Sequence, residues 1–360
     1  MGTPDVRANT DESMTIDEFI AEQPKVLDAV LAEVPRQVAA LGPLRPAGPV
    51  ILVGSGTSMN ALVGVETLLA RVVPAGVRVR GPLAYLAETE TGGGQGDLTI
   101  LLSQIGTSTT TLEAIGRAQA RGGRVLTLTA ERESPIGRAA SELVVMPVGP
   151  EPVGPKTKGY TASLLSLILL ARAMAGDQLD SGGFTTDLSR LIAYARGVVA
   201  ELADDCGDPD FVIVMGQGGH HATALEGSLK VSEMSGIAAA AFDTEEAFHG
   251  RFHGLGPRSL ALFVAATAVQ HDLAATGAAV LADLGVTSRI LSCAGGAPGP
   301  HDLALPWPAT DRAPELDLIS VIVPLQLLAC ELARRRGLPP ERMRYPNLSR
   351  RLHIKTGGAG

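Results

Sequence analysis

Three charged residues in the second half of the chain have the types and spacing for acid–base chemistry. Glu226, Lys230 and Glu233 lie four and then three positions apart. At about 100° per residue they share one narrow stripe of a helix running from roughly Thr223 to Met234. The other faces carry apolar or small residues, so this stripe is the helix's only charged face and suggests an internal polar site. An ordinary Glu–Lys helix pair with one charged neighbour has the same spacing, and both readings stand at this level.

Two turns could hold an anion. Gly54-Ser55-Gly56-Thr57-Ser58 follows the apolar run VILV and opens a helical stretch, so backbone N–H groups and hydroxyls gather at the positive end of a helix. A tight turn with a serine cap would look the same. It is not a Walker loop, because no Gly-Lys-Ser/Thr follows, and it lacks the full dinucleotide glycine spacing. A second turn, Ser103 to Thr110, repeats the chemistry, with Ser108 also suited to capping the next helix. Both turns follow strands, and open α/β sheets bind ligands beyond the carboxyl ends of their strands. The segment Glu245 to Gly254 adds His249 and His253 in a loop-like setting, where an imidazole titrates near neutrality and could shuttle protons. A metal is not expected there, since a helical pair would enclose Gly250 and no third ligand is evident. His220 and His221 follow a glycine turn and read as solvated loop residues.

The elements that must position these residues follow a clear rhythm. Residues 16–41 have helical spacing, with Pro24 and Pro35 as local breaks. From Val50 short apolar runs alternate with helices: VILVG, VRVR, LTILLS, RVLTLT and ELVVM, then a long apolar helix from about Thr157. A polar linker near 177–186 precedes a helix at 187–204, after which FVIVMG, LALFVAA and VTSRILS restart the pattern. Alternating strands and helices predict parallel, doubly wound sheets. VILVGSGTSMNALVGVETLL and FVIVMGQGGHHATALEGSLK share strand, glycine turn and small-residue helix about 160 residues apart, too long a period for a solenoid. Two copies of one α/β domain account for this, although any two α/β units share such a start. The boundaries expected are a helical arm at 1–45, domains at 46–180 and 187–345, and a tail at 346–360.

Composition narrows the function classes. With 360 residues and 45% hydrophobic content, the chain can bury two ordinary cores. A net charge of -8 and no Lys/Arg block exclude a nucleic-acid track. Cys206, Cys293 and Cys330 are widely spaced, predicting neither disulfides nor a thiolate metal site and fitting a reduced cytoplasm. The polar N-terminus lacks a signal-peptide pattern, and the apolar stretch Leu164 to Ala175 is interrupted by Ser166 and Arg172, so no membrane crossing is expected. Only five of the 30 basic residues are lysine (Lys25, Lys156, Lys158, Lys230 and Lys355). Work that needs a neutral amine must fall to these, because arginine stays protonated.

Taken in order, these motifs resemble the tandem sugar isomerase (SIS) domain family, which includes the isomerase domain of glutamine-fructose-6-phosphate aminotransferase and related amino-sugar-phosphate isomerases, deaminases and deglycases. The resemblance covers nearly the whole chain. It rests on Glu22-Gln23-Pro24, the Gly56-Thr57-Ser58 turn, the Ser103-Gln104-x-Gly106 loop, Thr157 to Thr161, Ala224 to Glu233, Glu246 to Gly250, Val323 to Leu328 and Pro346-Asn347-Leu348. It implies an α/β fold of two tandem SIS domains, each a doubly wound parallel sheet flanked by helices. It also implies a sugar-phosphate or amino-sugar-phosphate substrate held by Gly56, Thr57, Ser58, Ser103, Gln104, Thr107 and Ser108. Glu233 would then move a proton between C1 and C2, and His249, contributed by the second subunit of a homodimer, would help open the sugar ring. Glu226 and Lys230 would sit beside the substrate or orient the base. No metal or organic cofactor is implied.

Three departures bear on this. Ile105 stands where the family loop commonly has a second serine, removing a donor to a charged oxygen worth roughly 1.5–3 kcal/mol. Thr107 replaces a usual glutamate. After Asn347-Leu348 the chain has Ser349-Arg350-Arg351 where synthase-like enzymes carry an imine-forming lysine, and Arg350 cannot form one. Lys355 could reach in instead, but the ending KTGGAG reads more readily as a frayed terminus. No glutaminase domain precedes residue 16, so glutamine-dependent amination by this chain alone is not expected. The expectation is an isomerase, deaminase or deglycase passing through an enediol or enolamine. The alternatives are a non-catalytic sugar-phosphate sensor and a specialised enzyme for an atypical amino compound. The absence of a basic helix-turn-helix module argues against a DNA-binding sensor.

Overall fold

The computed structural model describes residues 14–88, 94–295, 297–308, 310 and 313–356. Helix α1 (Ile16–Ala40) starts at a capping box: the Thr15 hydroxyl accepts from Glu18 N, and Glu18 Oε2 accepts from Thr15 N at 2.6 Å. Pro24 and Pro35 lie inside this helix and do not break it, contrary to the sequence expectation. Each proline removes one backbone donor, but Phe19, Ile20, Leu27, Val30 and Val34 are almost wholly buried, and that packing holds the helix together.

The first half continues as β1 (Val50–Val53), α2 (Thr57–Ala70), β2 (Val77–Arg80), α3 (Pro82–Ala87), β3 (Leu98–Leu102), α4 (Thr109–Ala120), β4 (Arg124–Thr129), α5 (Pro135–Ala139), β5 (Glu142–Val145) and α6 (Lys158–Ala175). Its strands are all parallel, in the order β2-β1-β3-β4-β5. The second half comprises α7 (Phe184–Cys206), β6 (Phe211–Gly216), α8 (Gly219–Ser235), β7 (Ala238–Phe242), α9 (Thr244–Phe248), β8 (Ser259–Ala265), α10 (Ala268–Asp283), β9 (Thr287–Ser292) and α11 (Asp317–Arg335). Its parallel order, β7-β6-β8-β9, is that of the first sheet without the fifth strand. A short α12 (Leu348–Arg351) precedes the tail. Gly56 and Gly218 precede α2 and α8 at the same point of each half, both with φ +57°, a conformation open to glycine. The sequence pattern missed β7, whose Ala238-Ala239-Ala240-Ala241 run has little intrinsic strand preference; pairing with β6 makes it an edge strand.

Strand alternation divides the interior. Val50, Leu52, Val212 and Val214 point into one core common to both halves, whereas Ile51 and Val53, and Ile213 and Met215, point to a separate outer cluster in each half. Helix α11 lies in the common core; together with the turn before it, it forms the stretch Pro314–Arg335, which is long and apolar enough to cross a membrane and is almost wholly buried inside the protein. The arm helix joins the same body. Gln23 Nε2 donates to Gln326 Oε1 at 2.8 Å, Gln326 Nε2 donates to Thr157 O at 3.3 Å, and Lys158 meets Glu22 at 2.6 Å.

Helices α2 and α8 cross where their residues are small. A Cβ on Gly64 would lie 3.4 Å from the Ala222 Cβ, and one on Gly219 would lie 3.2 Å from Gly64 O. This close approach brings the two helices that carry Thr57 and Glu226 together.

His220 corrects another expectation. It sits in the first turn of α8, only 6% exposed, with Nδ1 3.3 Å from Thr223 Oγ1. Burial lowers its pKa to about 4 from 6.5. The folded chain thus keeps the imidazole neutral, and its contribution to stability is present above pH 6.5 and lost as pH falls toward about 4. Unfolding titrations should show a loss on the order of 3 kcal/mol over that window, absent in His220→Gln. A Cβ on Gly216 would lie 2.4 Å from His220 O, so Gly216→Ala should lower stability by about 1–3 kcal/mol in chemical denaturation.

Candidate active site

The order of the first sheet reverses between β1 and β3, and the two hydroxyl-rich turns leave the carboxyl ends of those strands side by side. They form a cleft of about 280 Å³. Ser55, Thr57 and Ser58 line one side, and Ser103, Gln104, Ile105, Thr107, Ser108 and Thr110 another. Ser108 caps α4: its oxygen accepts from Thr111 N at 3.4 Å and from the Thr111 hydroxyl at 2.9 Å, leaving the Ser108 proton free to donate. Gly106 needs its φ of +72°, and a Cβ there would collide with the Ser134 side chain. Gly56, by contrast, shapes the turn without lining the cleft.

Gln104 is held from behind. Its Nε2 lies 3.4 Å from Glu151 Oε2, and its amide lies across Gly159, where a Cβ would be 1.9 Å away. Glu151, 7% exposed, also accepts from Thr157 N at 2.7 Å, the Thr157 hydroxyl at 2.9 Å and Gly159 N at 3.1 Å. This carboxylate pins the turn before α6 against the β3–α4 loop.

The stripe on α8 is internal. Glu226 and Lys230 have no exposure, and their charged atoms lie 3.2 Å apart; Lys230 also contacts Glu233 Oε2 closely. Glu226 takes two further bonds from α2: the Thr57 hydroxyl donates at 3.0 Å and Asn60 Nδ2 at 2.8 Å. Lys230 donates to Thr57 Oγ1 at 3.3 Å as well, so its three N–H groups all have partners. Burial raises the Glu226 pKa against the pull of Lys230 and Asn60. Burial works against the Lys230 ammonium, but Glu226 and then Glu233 outweigh it, and its pKa is raised. Glu233 is the member of the cluster that reaches solvent, at 22% side-chain exposure. Thr57 belongs to both the cleft and the cluster and joins them.

His249 stands apart. It caps the C-terminal end of α9, is 69% exposed, bonds Glu245 at 3.3 Å and does not line the cleft of its own chain.

The tail is docked as far as Thr356, which corrects the expectation of fraying for Lys355 and Thr356; residues 357–360 of that ending lie outside the described residues. Thr356 N donates to Thr107 O at 2.7 Å, Thr109 N donates to Ile354 O at 3.3 Å, and Lys355 pairs with Ser108 in an antiparallel bridge. His353, at φ +54°, makes the turn into this pairing. Lys355 thereby lines the cleft, whereas Arg350 is exposed on α12 and does not. Lys156, in the turn pinned by Glu151, also lines it. The sequence reading did not place Lys156 or Glu151 at the site; the scarcity of lysine was the one signal pointing to the former.

Residues 91–173 match the SIS domain family model. The chain is 29% identical over 359 residues to the glutamine–fructose-6-phosphate aminotransferase (isomerizing) of Aeropyrum pernix, aligning over 93% of this chain and 56% of that protein. It thus spans little more than half the length of this curated relative. In fold it resembles a candidate phosphosugar isomerase from Clostridium difficile, with a TM-score of 0.81 at 19% identity over 96% of this chain and 99% of the other. It also resembles glucosamine-6-phosphate deaminase from Thermotoga maritima, with a TM-score of 0.71 at 22% identity over 90% and 98%. The segment that matches the SIS domain model lies in the first half and includes β3, α4, β4, α5, β5 and most of α6.

Proposed function

We propose that this chain is a sugar-phosphate or amino-sugar-phosphate isomerase or deaminase-type enzyme, built from two SIS domains. The observation that carries this reading is Thr57, which lines the hydroxyl-rich cleft and bonds Glu226 in the carboxylate cluster. A ligand whose anionic end sits among Ser58, Ser103, Gln104 and Ser108 would therefore extend its carbon chain toward Glu233. The names of the aminotransferase relative and of the deaminase with the same fold support that substrate class.

Isomerisation needs only proton movement; the deaminase-type reaction adds water to the resulting imine and expels ammonia. Glu233 removes a proton from the carbon next to the carbonyl; the electron pair shifts to the carbonyl oxygen, which takes up a proton, giving an enediol or, with an amino sugar, an enolamine. Glu233 then returns its proton to the former carbonyl carbon while the neighbouring hydroxyl or amine gives up its own to become the new carbonyl or imine. Glu226, itself held by Asn60, keeps Lys230 and Thr57 in place. Opening of the ring falls to His249 of a second copy in a homodimer, in keeping with its exposed position away from its own cleft. The free thiols Cys206, Cys293 and Cys330 suit a reduced cytoplasm.

In D2O, proton NMR with fructose-6-phosphate, glucose-6-phosphate and glucosamine-6-phosphate should show deuterium entering C1 or C2 of at least one of them. Glu233→Gln should abolish exchange while changing ligand affinity by no more than a few-fold. Exchange that survives in Glu233→Gln would remove it as the base, and ligand binding by the wild-type chain without exchange would indicate a sensor. Ser103→Ala should weaken phosphorylated ligands about ten- to a hundredfold and unphosphorylated ones much less, the value of a hydrogen bond to a charged group; equal losses would count against an anion cradle.

A further inference from the structure

The lysines around the site differ in what they leave free. Lys158 is buried against Glu22, with its ammonium 4.9 Å from the Phe19 ring centroid. Lys230 has a partner for each N–H. Lys156 donates to the carbonyl oxygens of Glu151 and Val153, the latter at 2.8 Å, which accounts for two of its three protons. Among the described residues no carboxylate lies within ion-pair distance of it. Burial lowers its pKa; Glu151 opposes this, Lys355 and Lys230 lower it further, and Glu233 raises it. The ammonium therefore sits within electrostatic range of both the tail lysine and the carboxylate cluster. Across the same cleft Ile105, 37% exposed, presents hydrocarbon where a donor would serve an anion.

We propose that Lys156 is the fixed cationic contact of the cleft, donating its remaining N–H to a phosphate monoester that also meets the hydroxyls of Ser58, Ser103 and Ser108, with Lys355 as a second cation carried by the docked tail. The inference rests on reading this cleft as a sugar-phosphate site and names what selects the phosphorylated form. A partly desolvated ammonium held only by carbonyl dipoles gains most from an anion and little from a neutral polyol. Because the backbone carbonyls fix its position, the charge is preorganised; Lys355, exposed in the tail and held by a single bridge to Ser108, is a looser contact.

The test is calorimetric titration of the full chain with inorganic phosphate, fructose-6-phosphate and fructose. Lys156→Met should weaken both phosphate compounds at least tenfold, Lys156→Arg should recover part of the loss, Lys355→Met should cost less, and Glu233→Gln should stay within a few-fold. A second measurement needs no loss of structure. With only five lysines, 13C reductive methylation gives a resolvable set of resonances, and the one absent from Lys156→Met belongs to Lys156. Its apparent pKa should rise on saturation with phosphate, while the groups facing it, Glu151, Glu233, Lys230 and Lys355, remain the same. Undiminished phosphate affinity in Lys156→Met, or a Lys156 resonance unmoved in saturated wild-type protein, overturns the assignment and leaves the sugar-phosphate reading standing. Wild-type protein that binds neither phosphate compound overturns that reading as well.

Discussion

The rest of the structure depends on one constraint: an ion pair, Glu226 with Lys230, held wholly out of water between the two halves. Burying charges is expensive unless they are paired and hydrogen-bonded, and removing either partner strands the other. Here the second half supplies both charges, while the first supplies the neutral donors Thr57 and Asn60. The requirement reaches outward from there. Helices α2 and α8 must approach at Gly64, Ala222 and Gly219, and Thr57, the first residue of α2, must direct its hydroxyl at Glu226. Thr57 can then serve the cleft only because the cluster already holds it.

The halves divide the labour on a shared scaffold. Both have the 2-1-3-4 strand order, and both start their first crossover helix after a glycine at φ +57°. In the first half the turn carries hydroxyls and opens to solvent. In the second the corresponding turn is Gln217-Gly218-Gly219, followed by a buried His220, and it packs against Gly64 and Leu318. One copy of the motif thus opens a hydroxyl-lined cleft, and the other anchors the helix that carries the carboxylates.

Most of the fold was legible in the sequence, because a glycine turn between an apolar run and a small-residue helix is a local signal. The stripe of Glu226, Lys230 and Glu233 was legible for the same reason, as was the convergence of the two turns, which follows from parallel strands. What was missed depends on distant contacts. Pro24 and Pro35 are tolerated because of the face α1 buries, and four alanines become a strand because β6 offers an edge. His220 is buried by the packing of α8, and Lys355 is placed by carbonyl and N–H groups some 250 residues earlier, since Thr356 bonds Thr107 at a separation of 249. Lys156 and Glu151 belong to an irregular turn with no periodicity to read.

The span of the bonds that close the cluster has a kinetic side. Glu226 meets Thr57 and Asn60 across 169 and 166 residues of chain. Contacts of that span must overcome loop-closure entropy before they add stability, whereas each sheet assembles from neighbouring strands and crossovers. The halves can gain most of their strand pairing while Glu226, Lys230 and Glu233 are still hydrated on an unpartnered helix. Dehydration of the charges then coincides with docking of α2 on α8, when the donors Thr57 and Asn60 arrive together. The polar centre is in this sense a lock closed at the end of folding, and a chain that has not closed it has neither cleft nor cluster in working order.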